Sequence, residues 1–298
     1  FGSSHVSSSN QAKAHFAQLP SPMEECLCAT VHLGDLRLHA DLPNGLDGSG
    51  GCLWCGGLIL AGWIAEQAPC LMSGRSVVEL GCGSAALPSV VSSFRGAKTC
   101  VASDASRDVL EATRHNVELN SAFVIVQQID WTGSVDDAVS DGLGRSHVDL
   151  ILFSDIIYNT GSDRLAEFID AALAQDGEVI GVLCAFHDGF AEFLRGMRCR
   201  GFVARHLPSC PETLSSIDKG EVVFLGDDMR GRADLIQDLP TSSRRLVSWQ
   251  RHSNADVGQH DEHARILAYL QDVDIECRRE GSLEDMPARF PRVTVGAW

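Results

Sequence analysis

Positive charge is scarce in this chain: 24 Lys and Arg stand against 40 Asp and Glu in 298 residues, a formal charge of −16 with a pI near 5.0. A nucleic-acid backbone is held by clustered Lys and Arg, so this deficit argues against a stable nucleic-acid partner and for a basic protein or peptide. Long apolar runs are also missing. No stretch approaches the roughly 18 residues of a membrane span, and the Ser-rich opening has no signal-peptide core. The expectation is a soluble, monomeric protein of the cytoplasm and possibly the nucleus, with no membrane partner. The 11 cysteines are odd in number and lack the rhythm of a secreted scaffold, which implies free thiols in a reducing compartment. Cys26-x-Cys28 with Cys52-x-x-Cys55 is the one candidate zinc set, but one-residue spacing is unusual for zinc and Trp54 sits inside the second pair, so no metal is expected. His252, His260 and His263 lie in a hydrophilic region and read as solvated. There is no internal repeat.

What the chain does have is a hydrophobic content of 44%, enough for a full core, and a regular alternation of strand and helix signals. Residues 1–21 read as a disordered or expression-derived arm. Residues 22–70 read as a hairpin around Gly34-Asp35 and a helix over 53–66 with bulky residues at 59, 60, 63 and 64 on one face, packed on the core. Residues 71–207 read as a cofactor-binding core. Its strands are expected near 77–80, 98–104, 124–131, 148–155, 178–186 and 202–207, with a crossover helix from Ala105-Ser106 to Asn120 and a helix after Asp155 closed by Gly177. Residues 208–298 read as an elaboration completing the sheet edge, with candidate strands at 221–225 and 245–249 and a helix over 257–276 carrying Ile266, Leu267 and Leu270 inward. The fold class is therefore α/β, a mostly parallel open sheet with helices on both faces.

The organising stretch is Val77-Val78-Glu79-Leu80-Gly81-Cys82-Gly83-Ser84-Ala85, an apolar β-branched run entering a glycine turn and then a helix expected to start near Ala85. Gly81 and Gly83 let backbone N–H groups approach a ligand, and the helix points its positive end at the same place. Asp104 follows 23 positions after Gly81, where a carboxylate holds the hydroxyls of a ribose. Two cofactor classes fit. A nicotinamide dinucleotide needs a small third position, here Ala86, and is disfavoured by negative charge beside its pyrophosphate. S-adenosylmethionine has no phosphate and carries a sulfonium and an ammonium, which Glu79 suits.

The loop resembles the E-x-G-x-G-x-G turn of class I methyltransferases, with Ala85 at the third glycine position. Four more stretches are similar to the seven-strand protein-lysine methyltransferases grouped as methyltransferase family 16: Gly50-Gly51-Cys52-Leu53-Trp54, Arg114-His115-Asn116-Val117-Glu118-Leu119-Asn120, Ile129-Asp130-Trp131 and Ser154-Asp155-Ile156-Ile157-Tyr158. The resemblance covers about residues 30–207 and implies a Rossmann-like sheet of seven strands with an antiparallel C-terminal edge hairpin. It further implies S-adenosyl-L-methionine held by Trp54, Glu79, Gly81, Cys82, Gly83, Ser84, Asp104, Ala105, Asp130, Trp131 and Ser154. Trp54 would lie at the methionine end, Asp104 at the ribose, and Asp130 with Trp131 at the adenine. Asp155 and Tyr158 would meet the acceptor amine. The implied activity is methyl transfer to a protein side-chain nitrogen, lysine first. Histidine, or cofactor binding without catalysis, are the alternatives. A nicotinamide-dependent reductase is a third.

Overall fold

The computed structural model describes residues 26–43, 46, 49–67, 71–144, 146–157, 162–184, 189–209, 211–219, 222–225, 244–251, 265, 266 and 268. Two strands open it, β1 (Cys26–Leu33) and β2 (Leu36–Pro43), paired antiparallel across Gly34, whose φ of +60° suits a residue without a Cβ. Helix α1 (Cys55–Glu66) follows. The expected apolar face of α1 is too narrow a reading: every residue from Cys55 to Ala65 except Gly57 is buried. A helix apolar all round is one packed on all sides, and α1 does pack against the hairpin, the central strands and two further helices, α2 (Leu87–Phe94) and α7 (Pro211–Asp218).

The main sheet is built from β3 (Ser76–Leu80), β4 (Thr99–Asp104), β5 (Ile125–Gln128), β6 (Val148–Ser154), β7 (Leu173–Cys184), β8 (Phe202–His206) and, from far along the chain, β10 (Arg244–Arg251). Between them run α2 (Leu87–Phe94), α3 (Arg107–Leu119), α4 (Val135–Leu143), α5 (Ser162–Ala172), α6 (Phe190–Cys199) and α7 (Pro211–Asp218). Its order is β5-β4-β3-β6-β7-β10-β8. The pairs β5/β4, β4/β3, β3/β6 and β6/β7 are parallel, and β10 is antiparallel to both neighbours. Successive strand residues feed opposite faces: Val77, Leu150, Leu152 and Ile180 enter the core beneath α1 and α2, whereas Val78, Ile151, Phe153 and Val179 enter the core beneath α5 and α6. In the second core Phe153 stacks on Trp249 at 5.7 Å and meets Phe193 edge-on at 5.5 Å. That cluster pins β10 to the centre of the sheet.

Several boundaries differ from the sequence reading. Helix α2 begins at Leu87 rather than near Ala85, because the turn runs on through Ala86, held at φ +44°, with Pro88 in the first helical turn. The third strand stops at Gln128, so Ile129-Asp130-Trp131 leaves the sheet. Gly177 does not close a helix: α5 ends at Ala172 and β7 starts at once, with Gly177 inside it, where a Cβ would lie 2.7 Å from the Leu173 side chain. The apolar run near 221–225 supplies β9 (Val223–Leu225), which joins β1 in a small sheet of order β2-β1-β9 instead of the main one. The run at 245–249 is β10, inserted between β7 and β8, so β8 forms the edge. Of the expected helix over 257–276, Ile266 is buried, while Leu267 and Leu270 lie outside the described residues, as do the arm and the three histidines.

The outer edge of β2 is closed by side chains. Asn120 accepts from His39 N–H at 2.8 Å and donates to His39 C=O at 2.6 Å. Asn116 does the same for Asp41, at 2.7 and 2.9 Å. Four helical residues rise about 6 Å and two strand residues about 6.6 Å, so amides at i and i+4 stand in register with alternate strand residues and imitate a partner strand. Asn116 Nδ2 also donates to Ser84 C=O at 2.9 Å, and Thr113 Oγ1 to Gly83 C=O at 2.9 Å, which fixes the glycine turn. Asn116→Ala leaves backbone groups of Asp41 and Ser84 without these partners and is expected to lower unfolding stability by about 2–3 kcal/mol, read from urea denaturation.

Candidate active site

In an open parallel sheet a crevice forms outside the carboxyl ends of the strands where the winding reverses. Here that point lies between β3 and β6, and a cavity of about 370 Å3 opens there, within the size range of small-ligand sites. Glu79, Gly81, Cys82 and Gly83 of the β3 end line it, with Asp104 and Ala105 of the β4 end, Ser154 and Asp155 of the β6 end, and Trp54 at the start of α1. Nine of the residues expected at the site therefore share one cavity.

Four do not join them in what can be described. Ser84 is fully buried, its N–H donating to Gly50 C=O at 2.8 Å, and is not part of the cavity wall. Asp130 is exposed and its Oδ1 accepts from Thr132 at 3.0 and 2.6 Å, while Trp131 packs against the second core; neither lines the cavity, since the chain leaves the sheet after Gln128. Tyr158 lies outside the described residues. Among the described residues no group of three or more His, Cys, Asp or Glu gathers as a metal would need.

The walls include residues that periodicity did not single out. Gly50 passes so close to α3 that a Cβ there would fall 2.3 Å from Val109, and both residues line the cavity. Gly50 already stood in the glycine–tryptophan stretch of the family resemblance, so that signal was present. Ile156 sits where a Cβ at Gly81 would strike it at 2.4 Å, so Gly81, at φ +64°, is required by contact as well as by conformation.

Each carboxylate of the cavity is held differently. Asp104 Oδ1 accepts from Ser106 N–H at 3.0 Å and Oδ2 from Gly83 N–H at 3.3 Å, while Ser106 caps α3 through Val109 N–H. Burial pushes the Asp104 carboxyl up and the N–H groups of Ser106, Gly83 and Ala105 oppose this. Glu79, alternating with Val77, faces the α1–α2 side and is 2% exposed. Its Oε2 accepts from Ser89 N–H in the first turn of α2 at 2.8 Å. Burial raises its pKa to about 8, the Ser89 contact working against the shift and the Asp104 charge with it. Burial, then the charges of Glu79 and Asp104, also raise the Cys82 thiol well above its ordinary range, so this is no reactive thiolate.

Asp155 is the most constrained. It stands at φ +53°, in the left-handed region that favours glycine. Its Oδ2 accepts from Gly56 N–H, in the first turn of α1, at 2.9 Å, and Arg244 Nε lies 3.1 Å from each carboxylate oxygen. The side chains of this ion pair are 0% and 1% exposed. Burial acts to lower the Arg244 pKa, but the charge of Asp155 leads the effects that raise it.

Among the described residues no Lys, Arg or His lines the cavity, and three carboxylates do. Buried Glu79 has no cationic partner among the described residues. Among these described residues a pyrophosphate would find no cationic side chain in the cavity wall. A sulfonium with an ammonium would supply a cation for Glu79, so the residues present fit S-adenosyl-L-methionine, with Glu79 available to its charged end, Asp104 to its ribose and the glycine turn between them.

A family model described as lysine methyltransferase matches residues 34–198. Among curated proteins, the protein N-terminal and lysine N-methyltransferase efm7 of Aspergillus fumigatus is 31% identical over 118 residues, covering 37% of this chain and 45% of that protein. Its namesake in Schizosaccharomyces pombe is 35% identical over 114 residues, covering 36% and 44%. The matched stretch thus spans about half the length of these relatives. Among solved structures, a 16S rRNA methyltransferase of T. thermophilus in complex with AdoMet and guanosine shares the fold, with a TM-score of 0.52 at 13% identity over 78% of this chain and 52% of that one. The family match takes in α1, the glycine turn, Asp104, the Asn116–Asn120 clamp and Asp155, and the chain belongs to the lysine methyltransferase family.

Proposed function

We propose that this protein transfers a methyl group from S-adenosyl-L-methionine to an amine of a basic protein, lysine first. The observation that carries this reading is the make-up of the cavity: carboxylates from adjacent strands and, among the described residues, neither a basic side chain in its wall nor a cation beside buried Glu79. When bound, the cofactor supplies an electrophilic methyl on a positively charged sulfur. The chain contributes position. The glycine turn, fixed by Asn116 and Thr113, sets one wall and Trp54 another, and Asp155, on the same cavity, would hold the acceptor nitrogen. The net charge of −16 draws a basic substrate toward the enzyme.

The acceptor must lose a proton before attack. For a lysine of pKa near 10.4 this costs about 4 kcal/mol at pH 7.4, and for an α-amine of pKa near 7.7–8.0 about 0.5 kcal/mol. The names of the efm7 relatives include the protein N-terminus, so an N-terminal α-amine is the second reading. A radiolabelled methyl-transfer screen on basic proteins, followed by mass spectrometry of the labelled site, tests both. Labelled lysine or N-terminal amine is expected from wild type and is lost in Asp155→Asn. Label on histidine alone, or cofactor binding with no transfer to any protein, contradicts the proposal.

Two further outcomes concern the cofactor. Asp104→Ala is expected to weaken its binding by about 1–3 kcal/mol, read by calorimetry, and an unchanged dissociation constant removes Asp104 from the ribose. Glu79 makes binding proton-linked. In the free protein its pKa is about 8, so near neutral pH the carboxyl is largely protonated, and a bound cation favours the ionised form. Affinity should therefore rise with pH toward about 8, by up to tenfold per unit, with proton release on binding. Folding runs the other way: a carboxyl raised from 4.5 to about 8 stabilises the cofactor-free fold below 4.5 and loses that contribution as pH climbs to about 8. The cofactor's own ammonium titrates near 7.7–8.0, so the readout is the difference from Glu79→Gln, in which both slopes should flatten.

A further inference from the structure

The Asp155–Arg244 pair has consequences beyond holding strands together. Arg244 opens β10, well outside the stretch matched by the family, and no periodicity in the sequence connects it to Asp155. The structure nevertheless brings the N-terminus of α1, the end of β6 and the start of β10 to one carboxylate. Gly56 is part of the arrangement, because a Cβ there would lie 2.5 Å from Asp155 Oδ2. Left-handed backbone at a non-glycine residue persists only where its surroundings over-determine it. Here the guanidinium, the helix N–H and the bond from Asp155 N–H to Val182 C=O at 3.3 Å do so.

The carboxylate that lines the cavity is thus already neutralised, by a cation with no solvent exposure. A bare carboxylate would bind an ammonium more tightly than an amine and so stabilise the unreactive form of the acceptor. A compensated one keeps oxygen lone pairs for an N–H without the net attraction for a cation. We propose that Arg244 is a positioning residue which, with the N-terminus of α1, holds Asp155 as a charge-compensated hydrogen-bond acceptor, so that the enzyme takes its acceptor as the free amine and rejects the ammonium. This rests on the methyl-transfer reading above. The proton leaves the acceptor to solvent before binding. The nitrogen lone pair then forms the N–C bond, the C–S bond breaks with its electron pair passing to sulfur, and the positive charge moves from sulfur to nitrogen. Other titratable groups around the pair are Cys55 on α1, Cys184 opposite Arg244 on β7, Arg245 on β10, and Glu79 and Asp104 across the cavity. None of them is a second cation facing Asp155 among the described residues.

The test is where the pH dependence appears, measured with the full chain, the tritiated methyl donor and the basic protein fraction of a cell lysate as acceptor, from pH 6.5 to 9.5. If the free amine is selected, wild-type KM falls about tenfold per pH unit below the acceptor's own pKa while kcat stays flat, because only the neutral fraction binds. In Arg244→Met the exposed charge of Asp155 captures the ammonium: KM becomes flat and kcat acquires the slope, at least tenfold below wild type near neutral pH. Arg244→Lys restores the wild-type pattern. A purely structural Arg244 would lower activity without moving the slope from KM to kcat, and that result overturns the inference, as does a wild-type enzyme whose slope already lies in kcat. Should Arg244→Met fail to fold, Gly56→Ala replaces it, since its Cβ displaces the same carboxylate from its partners; a pH slope that moves from KM to kcat with cofactor affinity within threefold supports the inference, and a slope that stays in KM overturns it. No transfer to any protein by wild type counts against the methyl-transfer reading itself and takes this inference with it.

Discussion

A carboxylate almost wholly removed from water, with an N–H but, among the described residues, no cation beside it, is the constraint around which this molecule is arranged. Burying an isolated charge costs so much that the group either takes up a proton or finds a partner, and Glu79 in the cofactor-free protein does the first. Its position is not an accident of packing. Glu79 alternates with Val77 toward the α1–α2 core, where an apolar side chain would serve stability better, and it lies at the carboxyl end of a central strand with α2 starting above it. The helix N-terminus softens the penalty without removing it. What remains is an unmet demand for positive charge at the place where the sheet's winding opens a cavity.

Holding that cavity open falls to parts of the chain outside the parallel sheet. The glycine turn cannot set its own shape, since Gly81 and Gly83 were selected for freedom and not for rigidity. Its carbonyls are taken by Thr113 and Asn116 of α3, its Ser84 N–H by Gly50, and Asn116 is in turn anchored on the β2 backbone. The small sheet is therefore part of the cofactor wall at one remove. Helix α1 completes the link: buried on nearly all sides, it ties the hairpin to the central strands and delivers the Gly56 N–H to Asp155.

How much of this was legible in the sequence depended on the range of the interaction. The turn after β3, the acid closing β4 and the crossover helix are short-range patterns, and each stands where composition and spacing put it. The buried strands were visible as well, as continuous apolar runs, though not which face each residue would take. Local signals misled where a tertiary partner outweighed them. Gly177 reads as a helix stop, but β6 pairs with the segment from Leu173 onward and draws it into the sheet. The apolar run around Val223 reads as a strand, yet nothing local says that its partner is β1. Ser84 reads as part of a ligand loop, and its N–H and carbonyl are both consumed in holding that loop. Arg244 could not have been found: its meaning comes entirely from Asp155, 89 positions away.

Asp155 and Glu79 show why residue type alone does not assign a role. Both are acids, both close a central strand or nearly so, and both line one cavity. The difference lies in what the fold places beside them, a guanidinium in one case and a backbone N–H in the other. Environments that separate two like groups in this way assign them different work: the uncompensated acid is suited to a permanent cation, the compensated one to a neutral nitrogen. The same separation applies to distance. In the proposed reaction a net charge of −16 would act over about a Debye length, some 8–10 Å in physiological salt, and would draw in a basic substrate whatever the protonation of any one amine. Selection at the cavity works over a hydrogen bond. An enzyme that must attract a cationic partner and yet react with an uncharged nitrogen needs both, and it needs the attracting charge kept away from the reacting atom; Arg244 is where this chain keeps them apart.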